Sequence, residues 1–346
     1  MKCNLQCSYC ESGVYGGRDN STNHPDLAQC LSTIDFMFEY ADLYMSTKPQ
    51  ALKHVVLNVY GGESLHHPDI VTILQEVRQR SVQYHDRWLL TVTTTTNAIV
   101  SPRILSQVIP LIDEFTLSYH VENTNKNKSL FKENLLAIQS AGRRQKCVVL
   151  MHPEPELFAD CQQMIDWLDQ HNIKHLSRQL DHAEEDVEFN YQQQQVIWFN
   201  KLYSSKGQHQ NILPQSDVTD LASIGRACCG GRQLCENQNR RQRTFFVANK
   251  FKDWYCSVNH YFLYIKQING EIFVNKDCKM NFSGEIAPIG NLADTKSLLK
   301  QTRQWIDTDT MPVIQCKKNR CYCGLCAPKA QSQQEYREIM TKFFKR

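Results

Sequence analysis

From about residue 25 to residue 180, short apolar runs alternate with longer segments in which apolar residues recur every three or four positions. The first long segment follows Pro25 and is typical of an amphipathic helix, with apolar residues four, three and four positions apart: Ile34, Phe38, Ala41 and Met45. Further helices are predicted to begin near His67, Ser101, Asn125 and Pro155. Proline near most of these starts supports them, since an amide in the first helical turn has no partner within the helix.

Five apolar runs separate these helical segments and are predicted to be strands: 54–63, 88–98, 114–122, 146–153 and 173–180. Apolar runs that alternate with helices are typical of parallel strands covered by helices. The predicted fold class is therefore α/β, with a partial (β/α)6 TIM-like barrel. In such a barrel the chemistry is found at the carboxyl ends of the strands.

The 346-residue chain has a net charge of only +3, which argues against a protein whose main task is to bind nucleic acid. Its apolar runs are shorter than the roughly 20 residues that a membrane helix needs. A cysteine cluster occupies the place of a signal peptide. We therefore expect a cytoplasmic protein that is not bound to a membrane.

Fifteen cysteines are concentrated towards the two ends of the chain. In a reducing cytosol, such clusters bind metal or take part in redox chemistry more often than they form disulfides. Cys3, Cys7 and Cys10 are close enough for one short loop to bind one metal centre. Zinc would need a distant fourth ligand, because structural zinc sites have four. The alternative is a [4Fe–4S] cluster with three protein ligands and one open iron.

The CxxxCxxC loop, with Tyr9 directly before its last cysteine, resembles the defining loop of the radical S-adenosylmethionine (SAM) superfamily. That family also has a GGE-like motif at a strand end, where it holds the amino group of SAM. Here Gly61, Gly62 and Glu63 end the predicted strand 54–63. Glycine suits this position because backbone without a Cβ can approach a ligand closely. An ordinary strand-to-helix turn is the alternative interpretation of these three residues.

The resemblance implies further contacts to SAM at the ends of the following strands. Family members use polar groups there towards the ribose and the methionyl carboxylate, and this chain offers Thr96, Asn97, Ser118, His120 and Arg178. Each has an ordinary alternative, such as a threonine in a run of high β-propensity, a structural histidine or a rim arginine. No catalytic residue is identified, and weak candidates for substrate contacts are Glu122, Asp181 and His182.

The resemblance also implies a mechanism. The open iron binds SAM, an electron from the cluster cleaves the sulfonium, and the 5′-deoxyadenosyl radical abstracts hydrogen from a substrate. We expect a peptide or protein substrate, with a nucleoside, nucleotide or sugar-like small molecule as the alternative. The implied reductant is a protein such as flavodoxin or ferredoxin. A non-catalytic zinc or iron–sulfur binding protein is the alternative from another class.

One feature departs from the family pattern. Family members usually have a strand before the cysteine loop, whereas this sequence begins two residues before Cys3. We therefore expect the first barrel strand to be missing or truncated, either because the natural protein is longer or because the barrel lacks an edge. An open sheet edge would reduce stability and solubility, although all three cluster ligands are present.

The C-terminal cysteines resemble the SPASM or twitch extension, which carries auxiliary iron–sulfur clusters in many radical SAM enzymes. A hairpin with a type I′ turn at Asn269-Gly270 is predicted to bring two of these cysteines to its open end. The resemblance implies one auxiliary [4Fe–4S] cluster on Cys256, Cys278, Cys323 and Cys326. A second cluster would use Cys228, Cys229, Cys235, Cys316 and Cys321. Zinc bound by the segment 316–326 is the alternative.

These patterns divide the chain into four predicted parts. A radical SAM core barrel is predicted first, followed by a connecting helix and linker, an auxiliary-cluster domain and a terminal helix: 1–182, 183–227, 228–330 and 331–346. The sequence thus indicates an enzyme class, whereas the substrate, the number of auxiliary clusters and the oligomeric state stay open.

Overall fold

A computed structural model describes most of the chain in eleven ranges: 3–5, 7–9, 24–48, 53–180, 190–205, 252–256, 263–266, 269–273, 280, 284–317 and 329–344. The chain forms two compact units, one of Met1–Ile34 with Val55–Gln195 and one of Asp35–His54 with Val196–Arg346. Of the four predicted parts, most of 183–227 and about half of 228–330 lie outside the described residues. Their boundaries therefore stay predictions.

The first unit is built on a five-stranded parallel sheet in the order β1-β2-β3-β4-β5. Its strands are β1 (His54–Val59), β2 (Leu89–Thr96), β3 (Glu114–Tyr119), β4 (Arg144–Met151) and β5 (His175–Gln179). All five predicted strands are present, and each ends a few residues earlier than its apolar run. The residues that follow each strand are therefore loop residues at one edge of the sheet.

Helices precede and connect these strands: α1 (Leu27–Met45), α2 (Ile70–Ser81), α3 (Pro102–Val108), α4 (Asn125–Ser140) and α5 (Pro155–Gln170). Ser101 and Thr124 cap α3 and α4, because their hydroxyl oxygens accept amide hydrogens of the first helical turn. The helix predicted from His67 begins at Ile70, after a short 3₁₀ turn over Ser64–His66. A sixth helix, α6 (Gln193–Ser205), follows β5.

The core of the first unit lies where alternate strand residues meet the helices. In β3, Phe115, Leu117 and Tyr119 are buried, whereas Thr116 and Ser118 between them are half-buried. Neighbouring strands contribute Val92 and Val149, both fully buried. This alternation shows that one face of the sheet is packed and that the other carries the smaller polar side chains.

The second unit contains two small antiparallel sheets, in the orders β10-β6-β11 and β7-β8-β9. Their strands are β6 (Tyr255–Cys256), β7 (Tyr264–Lys266), β8 (Glu271–Phe273), β9 (Gly290–Asn291), β10 (Ile314–Gln315) and β11 (Lys329–Ala330). The unit also contains α7 (Thr295–Thr308), α8 (Gln333–Phe344) and most of α1 and α6. Phe36, Ile272 and Leu298 form its core.

The predicted hairpin is present, but its predicted turn type is wrong. Lys266 pairs with Glu271, so the connection is four residues long, 267–270, instead of two. A type I′ turn needs positive φ at both Asn269 and Gly270, and of these two only Gly270 has it, at 71°. The strand register, rather than the Asn-Gly pair alone, decides the length of this connection.

No helix in the described ranges is both long and apolar enough to cross a bilayer.

Core packing in β3 gives a direct test of this fold. We expect Leu117→Ala to lower the free energy of unfolding by about 2–5 kcal/mol, because Leu117 is 0% exposed and the truncation leaves a cavity. The matched control is Leu89→Ala at the start of β2, where the side chain is 64% exposed and a change within about 0.5 kcal/mol is expected. Urea unfolding monitored by tryptophan fluorescence measures both, and equal losses would contradict the packing.

Candidate cofactor site at the strand ends

The first half of the cysteine loop is attached to the end of β2. Asn97, the residue directly after β2, donates from Nδ2 to Asn4 Oδ1 at 2.7 Å. Asn4 in turn donates to the carbonyl oxygen of Ile99 at 3.1 Å. The same Asn97 nitrogen lies 3.9 Å from Cys3 Sγ. Cys3 is therefore held beside the end of β2, with an N–H donor directed at its sulfur.

The second half of the loop is attached to the end of β3. His120, the residue directly after β3, places Nδ1 3.4 Å from Cys7 Sγ and 3.2 Å from the Tyr9 hydroxyl. The rings of Tyr9 and His120 stack with centroids 5.9 Å apart. Which partner gives the proton to Nδ1 depends on the tautomer. Cys7 is buried here, so its thiol lies in a site with little water.

Burial governs the charge of both aromatic groups. It lowers the pKa of His120 to about 4, although the nearby Glu122 acts in the opposite direction. The imidazole is therefore neutral at pH 7. Burial, reinforced by Cys7 and Glu122, raises the pKa of the Tyr9 hydroxyl far above its ordinary value. Tyr9 therefore keeps its proton and remains a hydrogen-bond donor.

Glu63 of the GGE motif braces two strand ends. Its buried carboxylate accepts hydrogen bonds from the Thr96 hydroxyl at 2.6 Å, from the Asn97 amide at 2.7 Å and from the Leu65 amide at 3.1 Å. The preceding glycines, Gly61 and Gly62, have φ values of 113° and 51°, which side chains rarely tolerate. The GGE turn therefore directs Glu63 inwards, where it positions Asn97.

Glu122 contacts the cysteine loop directly. Its carboxylate accepts the Ser8 amide hydrogen on Oε2 at 2.7 Å and the Ser8 hydroxyl on Oε1 at 2.5 Å. His152, directly after β4, lies 3.5 Å from the same carboxylate. The substrate contact predicted for Glu122 is thus a side chain that already binds the loop.

The remaining predicted residues lie in three situations. Ser118 is half-buried in β3, opposite Val148, and Arg178 is half-buried in β5, opposite Leu150. Thr96 bonds to Glu63, as described above. The other predicted ligands and contacts of the two sites fall outside the described residues: Cys10, Asp181, His182, Cys228, Cys229, Cys235, Cys278, Cys321, Cys323 and Cys326.

Sequence analysis missed three residues of this site: Asn4, Ser8 and His152. His152 had a usable signal, because it directly follows β4 in the same way that Asn97 and His120 follow β2 and β3. It is buried and its ring lies 5.9 Å from the ring of Tyr9. Asn4 and Ser8 had no such signal, since their partners are more than ninety residues away in the chain.

The described residues suit a cluster bound by thiolates. None of the seven described cysteines forms a disulfide, and Cys3 and Cys7 share one loop. Each of their sulfurs has a ring or amide nitrogen within hydrogen-bond distance, which is typical of sulfur ligands of iron–sulfur clusters. In the described ranges no three histidine, cysteine or acidic residues form a ready metal site. A third ligand from the described part of the chain is therefore not indicated.

A second cysteine pair lies in the other unit, on the sheet β10-β6-β11. Cys256 in β6 is opposite Ile314 in β10, and the Cys316 amide extends this pairing by donating to the Trp254 carbonyl at 2.8 Å. Residues two apart in a strand share a face, so Cys256 and Cys316 lie diagonally on one face of the sheet. Both are buried. Lys317, the next residue, also donates its amide hydrogen to Met280 Sδ at 3.2 Å.

Comparison with known proteins identifies the fold. No protein-family model matches the chain, and no curated protein matches it. Native anSMEcpe with bound AdoMet (SAM) matches with a TM-score of 0.52 and 11% identity, covering 99% of this chain and 95% of that one. Native anSMEcpe with bound AdoMet and Kp18Cys peptide matches with a TM-score of 0.50 and 12% identity, covering 99% and 94%.

The protein anSMEcpe is a SPASM-domain radical SAM anaerobic sulfatase-maturating enzyme. The present chain shares the fold of this radical SAM enzyme over nearly its whole length. This confirms, for the fold, the resemblance that the cysteine loop and the GGE motif indicated.

The buried Glu63 carboxylate predicts a pH dependence of stability. Burial raises the pKa of Glu63 above its ordinary value of 4.5. The folded state then binds more protons than the unfolded state between these two values, so stability is lost as pH rises through them. A glutamine at this position does not titrate.

We therefore expect the wild type to lose stability relative to Glu63→Gln as pH rises from about 4.5. Urea unfolding of the metal-free protein at a series of pH values up to 8 measures this difference. The control Glu114→Gln removes a partly exposed carboxylate from the other end of the sheet. A constant difference between wild type and Glu63→Gln across this range would show that burial does not govern Glu63.

Proposed function

We propose that this protein is a radical SAM enzyme that modifies a peptide or protein. The observation that carries this proposal is the attachment of one cysteine loop to two adjacent strand ends, through Asn97 at Cys3 and through His120 at Cys7. The fold is that of an enzyme solved with AdoMet bound. A structural zinc ion would need four ligands, and the loop supplies three cysteines.

In this proposal Cys3, Cys7 and Cys10 bind a [4Fe–4S] cluster, which when bound supplies the electron that cleaves SAM reductively. The residues of this chain orient both groups and keep water away. Gly61 and Gly62 let backbone approach the amino group of SAM, and Glu63 holds Asn97 in place beside Cys3. Thr96, Ser118 and Arg178 are the proposed contacts to the ribose and the methionyl carboxylate of SAM. Thr96 is held in place by its hydrogen bond to Glu63.

A peptide or protein substrate is supported by the structure of anSMEcpe that contains both AdoMet and a peptide. That structure covers 99% of the present chain, so the likeness includes the region beyond the parallel sheet. A small electron carrier such as flavodoxin or ferredoxin is the proposed reductant. The same proposal places this protein in the cytoplasm, where such carriers are found.

We further propose that Cys256 and Cys316 bind the same auxiliary [4Fe–4S] cluster. The sequence resemblance assigned them to two different clusters, whereas the sheet places them diagonally on one face. Cys278 is a third ligand in this proposal, because Met280, two residues later, contacts the amide that follows Cys316. Cys323 and Cys326 precede β11, which pairs with β6 at Cys256, so either can supply the fourth ligand.

The cofactor proposal predicts a spectral response to SAM. Anaerobically reconstituted wild-type protein, once reduced, should show an electron paramagnetic resonance (EPR) signal that changes when SAM is added. Alanine at Cys3, Cys7 and Cys10 together should abolish this SAM-sensitive signal, because the three proposed ligands are gone. The control is Cys30→Ala, a buried cysteine of α1 outside every proposed ligand set. An unchanged wild-type spectrum on addition of SAM would overturn the proposal.

The auxiliary proposal predicts that the effects of two substitutions do not add. Cys256→Ala and Cys316→Ala should each remove about four iron atoms per chain, since each destabilises one four-iron cluster. The double variant should lose no more iron than either single variant. Iron and sulfide analysis after reconstitution measures this. Loss of about eight iron atoms from the double variant would assign the two cysteines to separate clusters.

A further inference from the structure

We propose that Glu122 is a positioning residue that fixes the conformation of the CxxxCxxC loop through Ser8, with His152 as its support. The part of this inference that concerns the cluster rests on the proposed function. The part that concerns the loop rests only on contacts within the chain.

Both oxygens of the carboxylate are used by one residue of the loop. Oε2 accepts the Ser8 amide hydrogen at 2.7 Å, and Oε1 accepts the Ser8 hydroxyl at 2.5 Å. The amide of Ser8 belongs to the peptide bond that follows Cys7. A carboxylate that accepts two hydrogen bonds from one residue restrains both the position and the rotation of that residue. Glu122 therefore restrains the backbone that carries Cys7.

Glu122 follows β3, a strand that is paired on both sides, with β2 and with β4. It lies three residues after β3, in a turn that the Asn123 amide closes on the His120 carbonyl at 3.3 Å. Val121 beside it is 1% exposed, which holds the turn against the core. Six residue pairs join β3 to β4, the strand that carries His152. The backbone that carries Glu122 is thus held by the sheet and by its turn.

His152 lies beside the same carboxylate. Its Nε2 lies 3.5 Å from Glu122 Oε1, and its ring is buried against Tyr9. The other ring nitrogen of His152, Nδ1, accepts the Glu154 amide hydrogen at 3.2 Å. With Nδ1 an acceptor, the neutral ring carries its proton on Nε2, the atom that faces Glu122. His152 therefore directs an N–H donor at the carboxylate.

These contacts favour positioning over substrate binding. Both Glu122 oxygens accept a hydrogen bond from Ser8 and Oε1 also lies 3.5 Å from His152, so much of the acceptor capacity of the carboxylate is used within the chain. Its side chain is 24% exposed, so the two bonds are partly shielded from water and gain strength from that shielding. The geometry points to a residue that acts on the reaction only through the loop.

The experiment compares Glu122→Ala, Glu122→Gln and Ser8→Ala with Glu114→Ala as the matched control. Glu114 begins the same strand, is partly exposed and pairs with Arg144, away from the loop. Two readouts are used on the full chain. The first is the rate at which a chelator removes iron from the reconstituted protein, together with the midpoint potential of its SAM-sensitive cluster. The second is hydrogen exchange of the peptide that contains residues 3–10 in the metal-free protein.

We expect Glu122→Ala to speed iron release by at least about tenfold, since two hydrogen bonds to a charged acceptor are lost. Glu122→Gln keeps one acceptor oxygen and should give a smaller increase, as should Ser8→Ala. Adding Ser8→Ala to Glu122→Ala should change little further, because the partner is already absent. A shifted midpoint potential in Glu122→Ala would support an effect on the cluster beyond a loss of stability.

Iron release from Glu122→Ala that matches Glu114→Ala would overturn the inference. If Glu122→Ala does not fold, the same comparison is made with Glu122→Gln and Ser8→Ala, and rates equal to wild type overturn it. If the wild type shows no SAM-sensitive cluster, the proposed function fails, but hydrogen exchange still decides this inference. Faster exchange over residues 3–10 in Glu122→Gln than in wild type supports it, and equal exchange refutes it.

Discussion

Parallel pairing of β2, β3 and β4 is the constraint on which the site depends. Parallel strands in register end at the same edge of a sheet, so the residues that follow them are neighbours in space although they are distant in sequence. Asn97, His120 and His152 each occupy the first position after their strand. The polar contacts to the cysteine loop come from these strand ends and the residues close behind them, among them Glu122 and the carbonyl oxygen of Ile99.

The two halves of the loop are held by different chemistry. The half with Cys3 is held by the side-chain amides of Asn97 and Asn4. Glu63 accepts the backbone amide hydrogen of Asn97, and the Asn97 side chain donates to Asn4. The half with Cys7 is held by an aromatic stack and by the Glu122 carboxylate. His120 is neutral because burial lowers its pKa. It therefore gives the buried Cys7 sulfur a polar neighbour without placing a positive charge in the interior.

Much of this could be predicted from the sequence, and the misses have identifiable causes. The five strands and the positions of Glu63, Asn97 and His120 follow from apolar periodicity and from residues at strand ends, which are local signals. The partners of Glu122 and Asn4 depend on contacts between residues more than ninety positions apart, which one sequence does not encode locally. The type I′ turn at Asn269 failed for a related reason, because pairing of Lys266 with Glu271 sets the length of that connection.

The described strands of the second unit have a consequence for how that unit is assembled. In the ranges that the structure describes, four of these strands have two residues and two have three, and each sheet has three strands. Three short strands form a stable sheet only when one face is covered by apolar packing. Packing on α7 supplies that cover for β8, because Ile272 lies in one apolar cluster with Leu298 and Phe36, so the sheet depends on the helix for its stability.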